Sequence, residues 1–256
     1  MIRALLLRFD APLMSFGGVC IDTNNPTDVF PARAMLTGLL ANALGYERSE
    51  ESDLTRLQTR IRYAARRDRV GERLSDFHTV DLDSSGPMGA DFGWTTAGKL
   101  EIRRGGDASE GTHIRRREYL ADTVVTVALT LIPADESPRL EDIERALHEP
   151  ARPLFLGRRC CPPSEPIGRG IIAVESLRTA IETTPRARRV NERAGADGDA
   201  LLAIWPEEEE EATTDDSAWA RVEDRDWSNA IHAGRRFYVR RTVFPPSGSP
   251  DQENER

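Results

Sequence analysis

Lysine is all but missing from this chain. Of 35 basic residues, 34 are arginine, and the single lysine is Lys99. A GC-rich genome explains such a bias as readily as selection for guanidinium chemistry, so the positions of the arginines carry the information. Cysteine is also scarce, limited to Cys20, Cys160 and Cys161. An odd count with one adjacent pair excludes a disulfide framework, and reduced thiols are expected. The four scattered histidines offer no metal-ligand spacing with these cysteines, so neither metal nor cofactor is expected. Long apolar runs are absent too; none approaches the roughly 20 residues needed to span a bilayer. Arg8 and Asp10 interrupt the N-terminal apolar run too early for a signal-peptide core. A soluble, cytoplasmic protein with no membrane partner is expected. There is no nucleophile elbow, no Walker lysine and no zinc-hydrolase helix.

What is present is uneven charge. The net charge is −8, but residues 201–256 hold 13 acids against 7 bases and so contribute −6 of it. The stretch 56–73 is +5, from seven arginines against Asp68 and Glu72, and 152–193 is also +5, from nine arginines against four glutamates. An acidic chain can therefore carry local basic surfaces of the kind that bind nucleic acid.

Periodicity and breakers predict strands at 2–9, 61–65, 76–82, 119–132, 171–175, 200–205 and 235–244. Helices are predicted from Pro31 to the Gly45 cap, over 50–60, and after Ser137-Pro138. Residues 83–113 read as an extended, irregular basic arm. The run Glu207–Glu211 with Thr213–Asp216 reads as a solvated acidic loop (207–216), and 245–256 as a disordered tail. Strand, helix, strands, helix, strand is the order of a split βαβ unit, an α+β ferredoxin-like fold.

Four segments are candidates for chemistry. Thr27 and Arg33 fall around the start of a helix, where free N–H groups attract anions; a capped helix with a surface arginine gives the same pattern. In Asp76-Phe77-His78-Thr79-Val80, His78 is a possible base or nucleotide contact, or a structural histidine. In His113-Ile114-Arg115-Arg116-Arg117-Glu118-Tyr119-Leu120, strand alternation places Arg115, Arg117 and Tyr119 on one face and Arg116 on the other. Arginines with an aromatic on one face make a platform for single-stranded nucleic acid; a charged edge strand is the alternative. In Phe155-Leu156-Gly157-Arg158-Arg159-Cys160-Cys161-Pro162, glycine permits close approach to another polymer and two guanidinium forks can grip phosphates.

These residues resemble the CasD family. The resemblance lies in Leu7-Arg-Phe-Asp-Ala-Pro-Leu-Met-Ser-Phe-Gly17, then Pro26-Thr27, Phe30-Pro31, Arg33 and Leu36-Thr-Gly-Leu-Leu-Ala-Asn-Ala-Leu-Gly45. It continues in the same order through Asp76–Val80, Arg117-Glu-Tyr-Leu120 and Phe155–Pro162, covering residues 1–180. The C-terminal part adds no support. CasD proteins are the Cas5e subunits of the type I-E CRISPR surveillance complex, Cascade. The resemblance implies an RRM-like, RAMP-type ferredoxin-like domain over 1–180. It also implies a β-hairpin thumb at about 83–113, carrying Lys99, Arg103, Arg104 and His113 toward RNA or a neighbouring subunit. Residues 181–244 would form a β-rich, partly irregular extension.

By resemblance, the chain is a noncatalytic cap on the 5′ handle of CRISPR RNA, with Arg33, His78, Arg115, Arg116, Arg117, Tyr119, Gly157, Arg158 and Arg159 as handle contacts. Implied partners are the backbone subunit and the large PAM-reading subunit, with target DNA reached through the complex. A metal-independent endoribonuclease acting on repeat RNA, as in type I-C relatives, stays open, as does a scaffold whose arginines serve only subunit interfaces. Cys161 departs from the family pattern, which has a small polar residue there. Charge reversal at Arg158 and Arg159 is expected to weaken handle binding more than reversal at Arg221 and Arg225.

Overall fold

The computed structural model describes residues 1–18, 23–81, 92–94, 100–102, 112–188, 200–209 and 217–246. In chain order the first elements are β1 (Ile2–Asp10), β2 (Leu13–Met14), β3 (Asn24–Asn25), α1 (Arg33–Leu44), α2 (Glu51–Arg60), β4 (Ile61–Arg69) and β5 (Glu72–Asp81). Next come β6 (Phe92–Trp94), β7 (Leu100–Ile102), β8 (Thr112–Ala121), β9 (Val124–Leu131), α3 (Leu140–His148), β10 (Gly168–Val174) and α4 (Leu177–Thr183). The last are β11 (Leu201–Pro206), β12 (Ser217–Asp226) and β13 (Ile231–Val243).

Seven strands form one sheet in the order β10-β1-β9-β4-β11-β13-β12, and every ladder in it is antiparallel. Every residue of β9 is buried. Its run of valine, alanine, leucine and threonine suits a central strand covered on both faces. On one face α1, α2 and α3 close a core around Leu5, Leu7, Phe9, Tyr63, Val127 and Leu129. On the other, α4 covers a smaller core of Ala4, Ala64, Ala128, Trp205 and Val239. The strands β11–β13 therefore extend the same sheet that β1, β4, β9 and β10 begin, and β11 and β13 contribute side chains to both cores.

A second sheet stands beside the first. Here β5 and β8 pair antiparallel from Glu72↔Ala121 to Asp81↔Thr112, while β2 and β3 lie along the other edge of β8. The fragments β6 and β7 pair with each other. The arm expected at 83–113 lies largely outside the described residues, as do the acidic residues 210–216 and the tail 247–256.

Several elements differ from expectation for physical reasons. The run 119–132 is two strands, because Asp122 adopts φ 56 and turns the chain between β8 and β9. Pro31 lies before α1 rather than at its first position; Ala32 is the N-cap and supplies no side-chain cap. Instead the Arg33 N–H donates to Glu223 Oε2 at 2.6 Å. A carboxylate from β12 thus answers the positive end of α1 from within the chain. β12 and α4 escaped prediction: β12 is rich in charge, and α4 has only seven residues. The strand at 61–65 runs on to Arg69 because Arg66 and Asp68, both fully buried, pair with each other at 2.5 Å inside the fold.

Candidate nucleic-acid interface

The Gly157 loop is the best-defined part of the site. Gly157 has φ 101, and a Cβ built on it would lie 1.6 Å from the Ser15 carbonyl oxygen. The close approach that the glycine permits is therefore to the chain's own backbone. Leu156 accepts from the Ser15 N–H at 3.1 Å, and its own N–H donates to Cys161 O at 2.8 Å. The Cys161 N–H closes the turn on Arg158 O at 2.9 Å. Cys161 fills the core beneath the loop as a small apolar side chain, with its thiol pushed up to about 12 by burial and then by Cys160.

The two arginines of this loop have different jobs. Arg158 is spent internally: it donates to Glu118 O at 2.9 Å and Asn25 O at 3.1 Å, and stacks over the Tyr119 ring at 4.7 Å. It bolts the loop to β8. Arg159 is exposed and, among the described residues, has no ion pair or hydrogen bond. The expectation of two equivalent phosphate grips becomes one anchor and one free cation.

On β8, Tyr119 is only 3% exposed and bonds Cys160 Sγ at 3.6 Å, so it belongs to the core and cannot stack a base. The open ring is Phe77 on β5, 55% exposed and directly opposite Arg116, whose guanidinium lies 6.0 Å above it. This platform lies on the opposite face of the ribbon from Tyr119. Residue 77 sits within the segment singled out for His78; an aromatic flanked by charges in a strand was the available signal. His78 pairs with Asp76 of its own strand at 2.5 Å and lies across from Arg115. Arg117 is exposed and, among the described residues, free of ion pairs, and Arg115 is half-buried with a partner. The backbone of His113 pairs with Val80, while its side chain, Lys99, Arg103 and Arg104 lie outside the described residues.

Arg33 does not join this surface. It is 2% exposed and ion-paired with Asp224, because β12 folds back over the start of α1. Thr27, also buried, accepts from the Phe16 N–H at 3.0 Å. Arg221 lies deep in the same network, bonded to Asp28, Phe30 O and Glu223, and Arg225 donates to Ala230 O and faces Trp227. Reversal at either would disturb folding, so neither serves as a surface control; exposed Arg56 and Arg145 do.

Beside the Gly157 loop an open groove of about 750 Å³ runs between α1 and the β12–β13 turn, lined among others by Met35, Gly38, Arg159, Arg225, Trp227 and His232. Partial desolvation and the neighbouring Arg225 lower the His232 pKa. Among the described residues no three His, Cys, Asp or Glu side chains are placed to hold a metal, and no helix is long and apolar enough to cross a membrane.

Comparison with known proteins gives a consistent answer. A family model described as "CRISPR-associated protein (Cas_Cas5)" matches residues 4–239, well past the limit of about 180 expected from sequence motifs. The chain is 33% identical over 171 residues to the CRISPR system Cascade subunit CasD of Escherichia coli (strain K12), covering 64% of this chain and 68% of that one. It superposes on a chain of a CRISPR RNA-guided surveillance complex with a TM-score of 0.65 and 27% identity, covering 98% and 95% of the two chains. A crystal structure of a Cas protein matches with a TM-score of 0.59 and 25% identity, covering 96% and 100%. With the family model spanning all but the ends of the chain, and an antiparallel sheet running through the whole match, the protein belongs to the Cas5 family of CRISPR-associated proteins and resembles its CasD members.

Proposed function

We propose that the protein is a noncatalytic subunit of a Cascade-type complex that holds the 5′ handle of CRISPR RNA. The observation that carries this is the pairing of the exposed Phe77 ring with Arg116 on one face of the β5–β8 ribbon, with Arg117 and the docked loop that presents Arg159 on its other face. Unstacked bases pack on aromatic rings and guanidinium planes, while neighbouring arginines hold phosphates; that combination suits single-stranded RNA. The strand order β10-β1-β9-β4, with α1 and α3 on one face, supports the split βαβ, ferredoxin-like reading. The long β5–β8 ladder supports a thumb rising from its far end. Contacts to backbone and PAM-reading subunits, and through them to target DNA, belong to the same proposal.

The test is binding of labelled, unprocessed repeat RNA by the purified protein in EDTA, scored for both mobility shift and cleavage. Handle-dependent binding with intact RNA is expected. The triple variant R116E/R117E/R159E should bind at least tenfold more weakly, while R56E/R145E binds as the unaltered protein does. The salt dependence should steepen by about 0.7 in the log–log slope for each phosphate held. Equal losses in the two variants would remove the assignment. Discrete cleavage at the repeat hairpin, abolished by His78→Ala, would establish the endoribonuclease instead.

A further inference from the structure

A second cavity, of about 390 Å³, opens at the start of α1 and shares no lining residue with the groove beside the Gly157 loop. It is lined by residues from α1, β4, the turn after β11, β12 and β13, and the handle-holding reading makes no use of it. Four guanidiniums line it (Arg33, Arg62, Arg235 and Arg236) against three carboxylates (Glu207, Glu208 and Asp224).

The charges there are poorly matched. Arg33 is 98% buried, by its 2% exposure, and donates Nε and Nη2 to Asp224, but among the described residues its Nη1 has no hydrogen-bond partner. A buried guanidinium N–H without an acceptor is costly, and such atoms are normally satisfied by something. Among the described residues Arg236 Nε is also without a hydrogen bond, with Asp224 Oδ2 4.0 Å away. Arg62 and Arg236 share the exposed counter-ion Glu208, at 3.6 and 3.5 Å. Glu208 is 68% exposed and stands on the short turn Glu207–Glu209, so its carboxylate can swing into water. Burial and then the closeness of Arg236 lower the Arg62 pKa, with Arg33 adding to the effect, as expected of cations crowded at one place.

An exposed aromatic completes the set. Phe237 lines the same cavity and is 54% exposed. Guanidinium forks match the several oxygens of a phosphate, and a ring at the rim offers a base a stacking surface. We propose that this cavity binds a nucleotide of a single-stranded nucleic acid. Its phosphate would take the place of the Glu208 carboxylate among Arg33, Arg62 and Arg236, and its base would lie on Phe237. The site is separate from the β8 surface, and Glu208 acts as a resident competitor that the ligand must displace.

That competitor makes the proposal testable in both directions. The probe is adenosine 5′-monophosphate, followed by a four-nucleotide single-stranded RNA unrelated to any repeat, titrated calorimetrically into the full chain at low salt. Glu208→Gln removes the competing charge and should tighten binding about threefold or more. Arg236→Ala should weaken it at least tenfold, and Phe237→Ala should weaken the nucleotide but not inorganic phosphate. Arg145→Glu, at an exposed position outside both surfaces, should change nothing. The idea fails if neither the unaltered protein nor Glu208→Gln binds the nucleotide. It fails equally if Glu208→Gln binds no more tightly, or if Arg159→Glu rather than Arg236→Ala abolishes binding and so places the probe on the β8 surface. A short acidic peptide that binds where the nucleotide does not would identify a protein-docking site and overturn it too. Because Glu208 is exposed, its replacement reads the site even if Arg236→Ala impairs folding.

Discussion

Arg221→Ala is expected to lower the free energy of unfolding by about 3–5 kcal/mol, as removal of one partner from a buried ion pair does. Arg221 is 5% exposed and bridges three parts of the chain. Its guanidinium lies 3.0 Å from the Glu223 carboxylate and 3.0 Å from Asp28 Oδ2, and donates to Phe30 O at 2.8 Å. Tyr63 hydrogen-bonds the same Glu223 at 3.0 Å. Burial alone would lower the Arg221 pKa; Tyr63, Glu223 and Asp28 outweigh it and leave it raised, so the residue stays a cation. Burial raises the Glu223 pKa, with Arg221 the foremost group opposing that rise.

The pH dependence follows with a definite sign. An acid with a raised folded pKa binds more protons folded than unfolded, so its contribution is complete below its unfolded pKa and is lost as pH climbs through the folded one. Without Arg221, Glu223 is raised further, and the variant loses more stability than the parent as pH rises. The deficit of Arg221→Ala should therefore be larger at pH 7.5 than at pH 5. Urea unfolding at both values measures it. Arg221→Met combined with Glu223→Gln, which removes both charges, should recover part of the loss. A deficit below about 1 kcal/mol, or one that grows toward low pH, would mean the network does not hold the β12–β13 hairpin to α1.

Gly157→Ala is expected to cost roughly 2–4 kcal/mol, combining a left-handed backbone penalty with loss of the loop's docking hydrogen bond. The methyl group would meet the Ser15 carbonyl at 1.6 Å, a collision with backbone that no rotamer relieves. The loop must lift, breaking the Ser15–Leu156 hydrogen bond and pulling Arg158 away from Glu118 and Asn25. Arg159 then loses its fixed position, so RNA binding should fall although no charge has changed. Gly17→Ala is the matched comparison: Gly17 has φ 80, but nothing lies within 4 Å of a built Cβ. It should cost only about 1–2 kcal/mol from backbone strain. Thermal melts of the two variants, with RNA titrations alongside, separate strain from collision. Similar losses in both would show that Ser15 yields and that the close approach is dispensable.

Much of the scaffold was legible in the residues themselves. The apolar run in β1, the spacing of Leu36, Leu39, Leu40 and Ala43 in α1, and Ile143 with Leu147 in α3 bury the side chains their periodicity singles out, while Leu44 on the same face of α1 is half-buried. Local pattern suffices where one face of an element is apolar and the next breaker is strong. It failed at β12, where Arg221, Glu223 and Asp224 look like a solvated stretch and are in fact half or wholly buried, because their charges cancel against Asp28, Arg33 and each other. Charge pairing across about 190 residues leaves no local signature.

The same division applies to the candidate surface. Sequence alone determined which segments carry arginine and aromatic residues and which family the motifs resemble. Only the tertiary structure decided which of those groups are free. It turned Tyr119, Arg33 and Arg158 inward, where their hydrogen bonds hold elements together, and left Phe77, Arg117 and Arg159 facing solvent. Two adjacent arginines are chemically identical in the sequence. Once one of them donates to two carbonyl groups beneath a docked loop, only the other keeps its whole fork of N–H donors for a ligand.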